Sequence, residues 1–463
     1  MQAQAGNAIR ELRRRLNTSL FPAAGADGST LGPIERVVVL LAVLALAIVL
    51  QLFRAGPSFA LGTVWAEDGP IFLQRAISEG FTSTVFSPYA GYLVLMPRLI
   101  GEVGALVPLR DAAAALALVS ASVVAISGLV VWYASAAHLP NPILRGTLVA
   151  ATILAPVASL EAVTSGTYVA WYMLFATFWI LLWRPSKTWV AGLAALFVLA
   201  TALSTPGVWY FAPLAALRAL AARDRRDVLI VGSFALGAAI QVPVVALGNE
   251  TIVEPTWSND IWVSYVQRVV DGAALGEHLG GEAWATWGWP FLILLLVCMS
   301  AGFAFGFMRA TTPARWFAAI ALPTSVLMFL GSAYQRAAGT ALKWLPDAYS
   351  GFGGRYAIVP ALLLVSVALV LVSQSKRPRS GPKALPWPSM AAACVVLVTI
   401  ATSLDLSEGT ARGTPSWGDA LNDATLACEA KRLPEVKVAT SPPGWTVIVP
   451  CDRLIDGHAP SAR

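Results

Sequence analysis

Recurring apolar runs of about 20 residues, the length a helix needs to cross a hydrocarbon layer, restrict this chain more than any other feature. They fall near 34–54, 111–137, 143–160, 168–183, 187–203, 207–222, 228–247, 286–308, 315–333, 355–374 and 386–404. The sequence therefore predicts an all-α polytopic membrane protein with about 11 transmembrane helices. Composition agrees: only 13% of residues are charged, against about 25% in soluble domains. The membrane domain is expected over 34–404, between a basic N-terminal stretch, 1–33, and a polar segment, 405–463. The first run, from Ile34, is too long for a cleavable signal peptide and is expected to stay as an anchor.

The net charge of +6 sits as short arginine clusters between the runs, which is how topology determinants, not nucleic-acid surfaces, are arranged. Arg10, Arg13, Arg14, Arg15 and Arg36 precede the first run. Arg145, Arg184 with Lys187, Arg218 to Arg226, Arg309 with Arg315, and Lys376 to Lys383 occupy every second connection after it. The stretch 248–285 instead carries Glu250, Glu254, Asp260, Asp271, Glu277 and Glu282 against a single Arg268. A cytoplasmic N-terminus follows, with 55–110, 248–285, 334–354 and the C-terminal segment outside a plasma (inner) membrane.

The connection 55–110 has structure of its own. Pro70 suits a helix start and Gly80 its end, and a second amphipathic stretch runs from Leu93 to Leu106 with Arg98 and Glu102 on its polar side. Both read as helices lying in the outer interface. The C-terminal segment holds two short strand-like runs, Val436–Val438 and Trp445–Val449, and reads as a small extracytoplasmic appendage. Cys428 and Cys451 can staple it if it lies outside the cytosol, whereas Cys298 and Cys394, inside apolar runs, are expected to pack as small hydrophobes. Three histidines and four cysteines show no metal-ligand spacing.

Chemistry beside a bilayer needs charge with a purpose, and the densest case is Trp65-Ala66-Glu67-Asp68-Gly69-Pro70. One carboxylate there suits a general base at the mouth of an outward cavity. The plain structural explanation carries equal weight: acids at a helix start complement its positive end. Tyr89 and Tyr92, Glu161 in a very short connection, and Trp287 in a tryptophan cluster are candidate cavity-lining residues. An interfacial aromatic belt also accounts for the tryptophans. The break at Ser204-Thr205-Pro206-Gly207 suits a place where irregular backbone faces water.

A cytoplasmic N-terminus, about eleven runs, a long first outer loop with interfacial helices and an acidic residue at its start resemble the GT-C class of membrane glycosyltransferases. The resemblance covers layout and the first hundred residues; an Asp-Glu-Ala-Arg-Tyr type signature is absent. It implies transfer of a sugar from a polyprenyl-phosphate donor to a glycan or lipid-linked cell-envelope acceptor. It also implies Asp68 as the base in preference to Glu67, with membrane lipids and no nucleic acid as further partners. No cofactor is required, although a divalent metal is compatible with the acidic pair. Such a reaction builds negative charge on the leaving phosphate, and a fixed cation in a dry site must meet it. Arg355, between Gly351-Phe352-Gly353-Gly354 and Tyr356, is the leading candidate, followed by Arg98, Arg336 and Lys343. Arg355 with Tyr356 also fits a simple interfacial anchor. The competing reading is a multi-pass transporter or lipid flippase, which calls for ionisable residues inside the spans. A scaffold whose tail recruits a partner is the third.

Overall fold

The computed structural model describes residues 2–22, 32–158, 162–248, 257–336, 354–375, 387–404 and 416–455. The protein is mostly helical. Among the described residues six helices are long and apolar enough to cross a membrane: Pro33–Ala55, Leu109–Ala134, Arg225–Leu247, His278–Arg309, Thr312–Gln335 and Arg355–Ser373. Four further apolar helices, Pro142–Ile153, Gly166–Leu182, Thr188–Ala202 and Trp387–Thr402, are shorter, with 10–17 residues each. Pro156 explains one shortening, because it bars the helix that starts at Pro142 from continuing. The expected run 207–222 divides into a 3-10 segment, Pro206–Phe211, and a short helix, Ala212–Ala221. Among the described residues six helices thus meet the length requirement, and the expected count of about eleven is not confirmed.

Burial identifies the centre and the rim. Helix Arg355–Ser373 is 83% buried over its most apolar window, while the corresponding windows of Pro33–Ala55 and His278–Arg309 are only 11% and 6% buried. Apolar helices left bare in this way match a hydrocarbon surrounding, where Leu and Val side chains have no reason to turn inward. Cys298 and Cys394 lie on outward faces, contrary to the expectation that they pack inside.

The connections gather at two opposite ends. At one, the His138 ring contacts the Leu20 carbonyl at 3.1 Å, and Gln374 donates to the His138 carbonyl at 2.7 Å. Arg13 donates to the Ala222 carbonyl there, and Arg184 to the Ala221 carbonyl at 2.9 Å. At the other end Asp68 meets the 165–167 turn, Leu95 N–H donates to the Leu203 carbonyl at 3.1 Å, and Arg355 reaches Tyr168. The basic connections therefore share one end with the N-terminal helix, and the 55–110 segment shares the other with the C-terminal segment.

The segment 55–110 winds through a 3-10 turn, Ala66–Asp68, a π-helical turn, Gly69–Leu73, and a short helix, Gln74–Ser78. It then passes helix Phe81–Val85 and a two-residue hairpin, β1 (Pro88–Tyr89) with β2 (Tyr92–Leu93), before helix Leu95–Leu106. Ala90 and Gly91 both take positive φ, 54° and 81°, the geometry a tight hairpin demands. The C-terminal segment folds as helix Trp417–Lys431 and an antiparallel pair, β3 (Glu435–Ala439) with β4 (Thr446–Pro450), close to the strands expected. The Cys428–Cys451 disulfide is formed, with a Cα–Cα distance of 5.7 Å.

Candidate functional site

Asp68 and Glu67 are adjacent in sequence but differ in surroundings. Asp68 is 3% exposed and points at the start of the segment Gly166–Leu182. It accepts from Ser165 Oγ at 2.9 Å, Gly166 N at 2.9 Å, Thr167 N at 2.8 Å and Thr167 Oγ1 at 2.6 Å. The first turn of a helix leaves its N–H groups without internal partners, and a carboxylate supplied from elsewhere in the chain satisfies them. Asp68 therefore caps a helix almost a hundred residues away, not the one at Pro70. Gly166 makes the approach possible, since a Cβ there would lie 3.0 Å from Ile100 Cγ2 and 3.3 Å from Asp68 Oδ1. Burial pushes the Asp68 carboxyl up to about 6, against the pull of its four hydrogen bonds. The cavity beside it measures only about 10 Å³, enough for roughly one water.

Glu67 faces a different group of side chains. Tyr168 Oη donates to Glu67 Oε2 at 3.3 Å and accepts from Arg355 Nη1 at 2.8 Å. The Arg355 guanidinium lies 4.9 Å from the centre of the Tyr168 ring and 5.0 Å from that of Tyr356. Its Nη2 donates to Tyr356 Oη at 3.4 Å, and Trp171 meets the Tyr356 ring edge-on at 5.5 Å. One phenolic hydroxyl thus links a carboxylate to a cation held between aromatic faces. Arg355 owes its place to the buried helix it begins, and Tyr168 to the turn Asp68 caps. The sequence singled out Glu67, Arg355 and Tyr356. Tyr168 was legible only as the last residue of Ser165-Gly166-Thr167-Tyr168, where short polar residues give way to an apolar run.

The other expected residues do not join this group. Arg98 is 1% exposed and holds the loop together, donating to the Ile71 carbonyl at 2.5 Å and the Pro88 carbonyl at 3.5 Å. It therefore acts on its own scaffold instead of reaching a phosphate, and Glu102, four residues further on, accepts from Thr84 Oγ1. Tyr89 and Tyr92 pair across the hairpin, with Tyr89 edge-on to Phe72 at 5.8 Å. Trp287 is 64% exposed and contacts Phe291, so it suits a belt and not a cavity wall. In the Ser204–Gly207 break, Ser204 Oγ accepts from Met96 N at 3.0 Å, so the break anchors helix Leu95–Leu106. Glu161 and Lys343 lie outside the described residues, as does the side chain of Arg336.

One further acid stands out. Asp271, 1% exposed, has both carboxyl oxygens without a hydrogen-bond partner, and burial pushes it up to about 7. Among the described residues no three His, Cys, Asp or Glu side chains come together as a metal-holding group.

No protein-family model, no curated protein and no solved structure matches this chain. Fold and site define a mostly helical protein with, among the described residues, six apolar helices long enough to cross a membrane.

Proposed function

We propose that this protein is a membrane glycosyltransferase of the GT-C kind, moving a sugar from a polyprenyl-phosphate donor to a cell-envelope acceptor. The observation that carries the reading is the Glu67–Tyr168–Arg355 chain, with contacts of 3.3 and 2.8 Å, at the end of the molecule opposite the basic connections. By the arginine distribution that end is the extracytoplasmic one.

In this scheme Glu67, not Asp68, is the general base. Asp68 has its acceptor positions filled by four donors, whereas Glu67 has one modest bond. Glu67 takes the proton of the acceptor hydroxyl as that oxygen attacks the anomeric carbon, and the bond from that carbon to the phosphate oxygen breaks. Arg355 meets the charge that grows on the departing phosphate; its planar guanidinium suits two phosphate oxygens better than an ammonium does. Tyr168 fixes the spacing between the two. No metal is needed for any of these steps.

The transporter reading has one specific observation beside it, the buried and unpartnered carboxylate of Asp271, which lies just before the apolar helix His278–Arg309 and not inside a span. The two readings separate in one assay. Transfer of radiolabelled sugar from a polyprenyl-phosphate donor, measured in membranes, is expected for the parent protein and lost in Glu67→Gln. Equal transfer by both proteins refutes the assignment of Glu67. Absence of transfer across a panel of donors, with proton-coupled uptake that vanishes in Asp271→Asn, favours transport.

A further inference from the structure

The C-terminal module rests on the backbone that presents Glu67. Ser441 N–H donates to the Val64 carbonyl at 3.0 Å, and the Ser441 carbonyl accepts from Ala66 N–H, so one residue of the module brackets Trp65, two positions before Glu67. Ala66 sits at φ 40°, a left-handed conformation that an alanine adopts only when its surroundings impose it. The bond from Ala66 N–H to Ser441 ties that residue to the module.

Side-chain contacts reinforce the backbone pairing. Ile448 N–H in β4 donates to Gln74 Oε1 at 2.9 Å. Val447 packs so closely over Gly69 that a Cβ there would lie 2.9 Å from its Cγ2, 3.1 Å from Val64 Cγ1 and 3.2 Å from Thr440 Cγ2. At the far side of the module Trp417, 2% exposed, donates from Nε1 to the Leu109 carbonyl at 2.6 Å. The Cys428–Cys451 disulfide ties helix Trp417–Lys431 to the end of β4, so the Trp417 anchor and the Ser441 pairing belong to one cross-linked unit.

From these contacts we infer that the C-terminal module is a positioning clamp. It holds Val64–Ala66 in the strained turn that directs Glu67 at Tyr168, and the 64–74 segment loosens when the module is displaced. Ser441 acts through its main chain and Val447 through its shape; neither touches a reacting group. The effect on catalysis rests on the proposed function, whereas the effect on the backbone does not.

The test uses the full chain in lipid nanodiscs and a wedge. Gly69→Ala places a methyl group against Val447 with no change of charge, and Val447→Ala in the same chain takes away the nearest opposing atom. Hydrogen exchange over 64–74 is expected to speed up at least tenfold in Gly69→Ala. It should return to within threefold of the parent in the double variant, with 112–134 unchanged throughout. Ser441→Pro, which removes the donor to Val64, should match Gly69→Ala, and Ser441→Ala should match the parent. In the transfer assay Gly69→Ala should lower kcat at least tenfold with donor KM within twofold, and the double variant should recover most of it. Exchange over 64–74 that stays at the parental rate in Gly69→Ala and Ser441→Pro overturns the clamp, whatever the transfer assay shows. Faster exchange in a protein without transferase activity upholds the clamp and removes only the glycosyltransferase reading. Faster exchange with undiminished transfer upholds the contact and overturns its role in positioning Glu67.

Discussion

Substitution of the two neighbouring acids should separate stability from chemistry. Asp68→Ala leaves the buried Gly166 N–H and the part-buried Thr167 N–H without an acceptor, since neither can rotate toward another. Each unmet buried donor costs about 1–3 kcal/mol, so the variant should lose about 4 kcal/mol. The Ser165 and Thr167 hydroxyls can turn elsewhere and add little. Asp68→Asn keeps one oxygen for two of the four donors but turns an NH2 group toward the others, for a loss of about 2–3 kcal/mol. Glu67→Gln disturbs one bond of 3.3 Å at a half-buried site and should cost less than about 1 kcal/mol. Thermal unfolding followed by the fluorescence of the 17 tryptophans, alongside sugar transfer, reads both quantities. Asp68→Asn should unfold at a distinctly lower temperature yet retain transfer at temperatures where it is folded. Glu67→Gln should unfold like the parent and transfer nothing. An Asp68→Asn protein with the parental midpoint and no transfer would refute the capping argument.

Four further outcomes follow from the same geometry. Arg218, fully buried, donates to the Ile180 and Leu181 carbonyls at 2.8 Å each and pairs with Asp227 at 3.0 Å; Arg218→Met should destabilise the protein by about 3–5 kcal/mol, read as a lower unfolding midpoint. Cys428→Ser opens a cross-link spanning 23 residues and should cost the module about 3 kcal/mol, seen as faster proteolysis within 416–455 while the helical core stays resistant. Arg355→Lys keeps the charge but loses the planar group held between two tyrosine rings, so kcat should fall about a hundredfold with little change in stability. Asp68 and Asp271 are raised from 3.8 to about 6 and about 7, so these two groups hold more protons in the folded protein than in the unfolded chain between about pH 4 and 7, which outweighs the opposing group in that window, His138, lowered by burial from 6.5 to about 4. Stability should accordingly fall as pH rises through that window and level off above it. Asp68→Asn combined with Asp271→Asn should flatten the slope, and an unchanged slope would refute the assignment.

Period and length carried the helical class, an apolar helix near 355–374 and the strands near 436–438 and 445–449, because apolar runs and β-branched clusters are local properties of a chain. The same local evidence leaves the count of spans unconfirmed, with six membrane-length helices among the described residues: hydropathy registers apolar residues, while a proline such as Pro156 decides where a helix must stop. Arginine distribution foretold which connections lie together, and the grouping of Arg13, Arg184 and Arg226 with the N-terminal end agrees with it. The position of Arg98 on a polar helix face says nothing of the Ile71 and Pro88 carbonyls that fold back over it.

The acidic pair shows where sequence stops. Its composition marked Glu67 and Asp68 as a place where charge must have a use, but two adjacent carboxylates are chemically alike until neighbours are assigned. Only the tertiary structure brought Ser165, Gly166 and Thr167 to one and Tyr168 to the other, across about a hundred residues of chain. Hydrogen bonds are short-ranged and directional, so which acid becomes a cap and which stays available depends on contacts that no local pattern encodes.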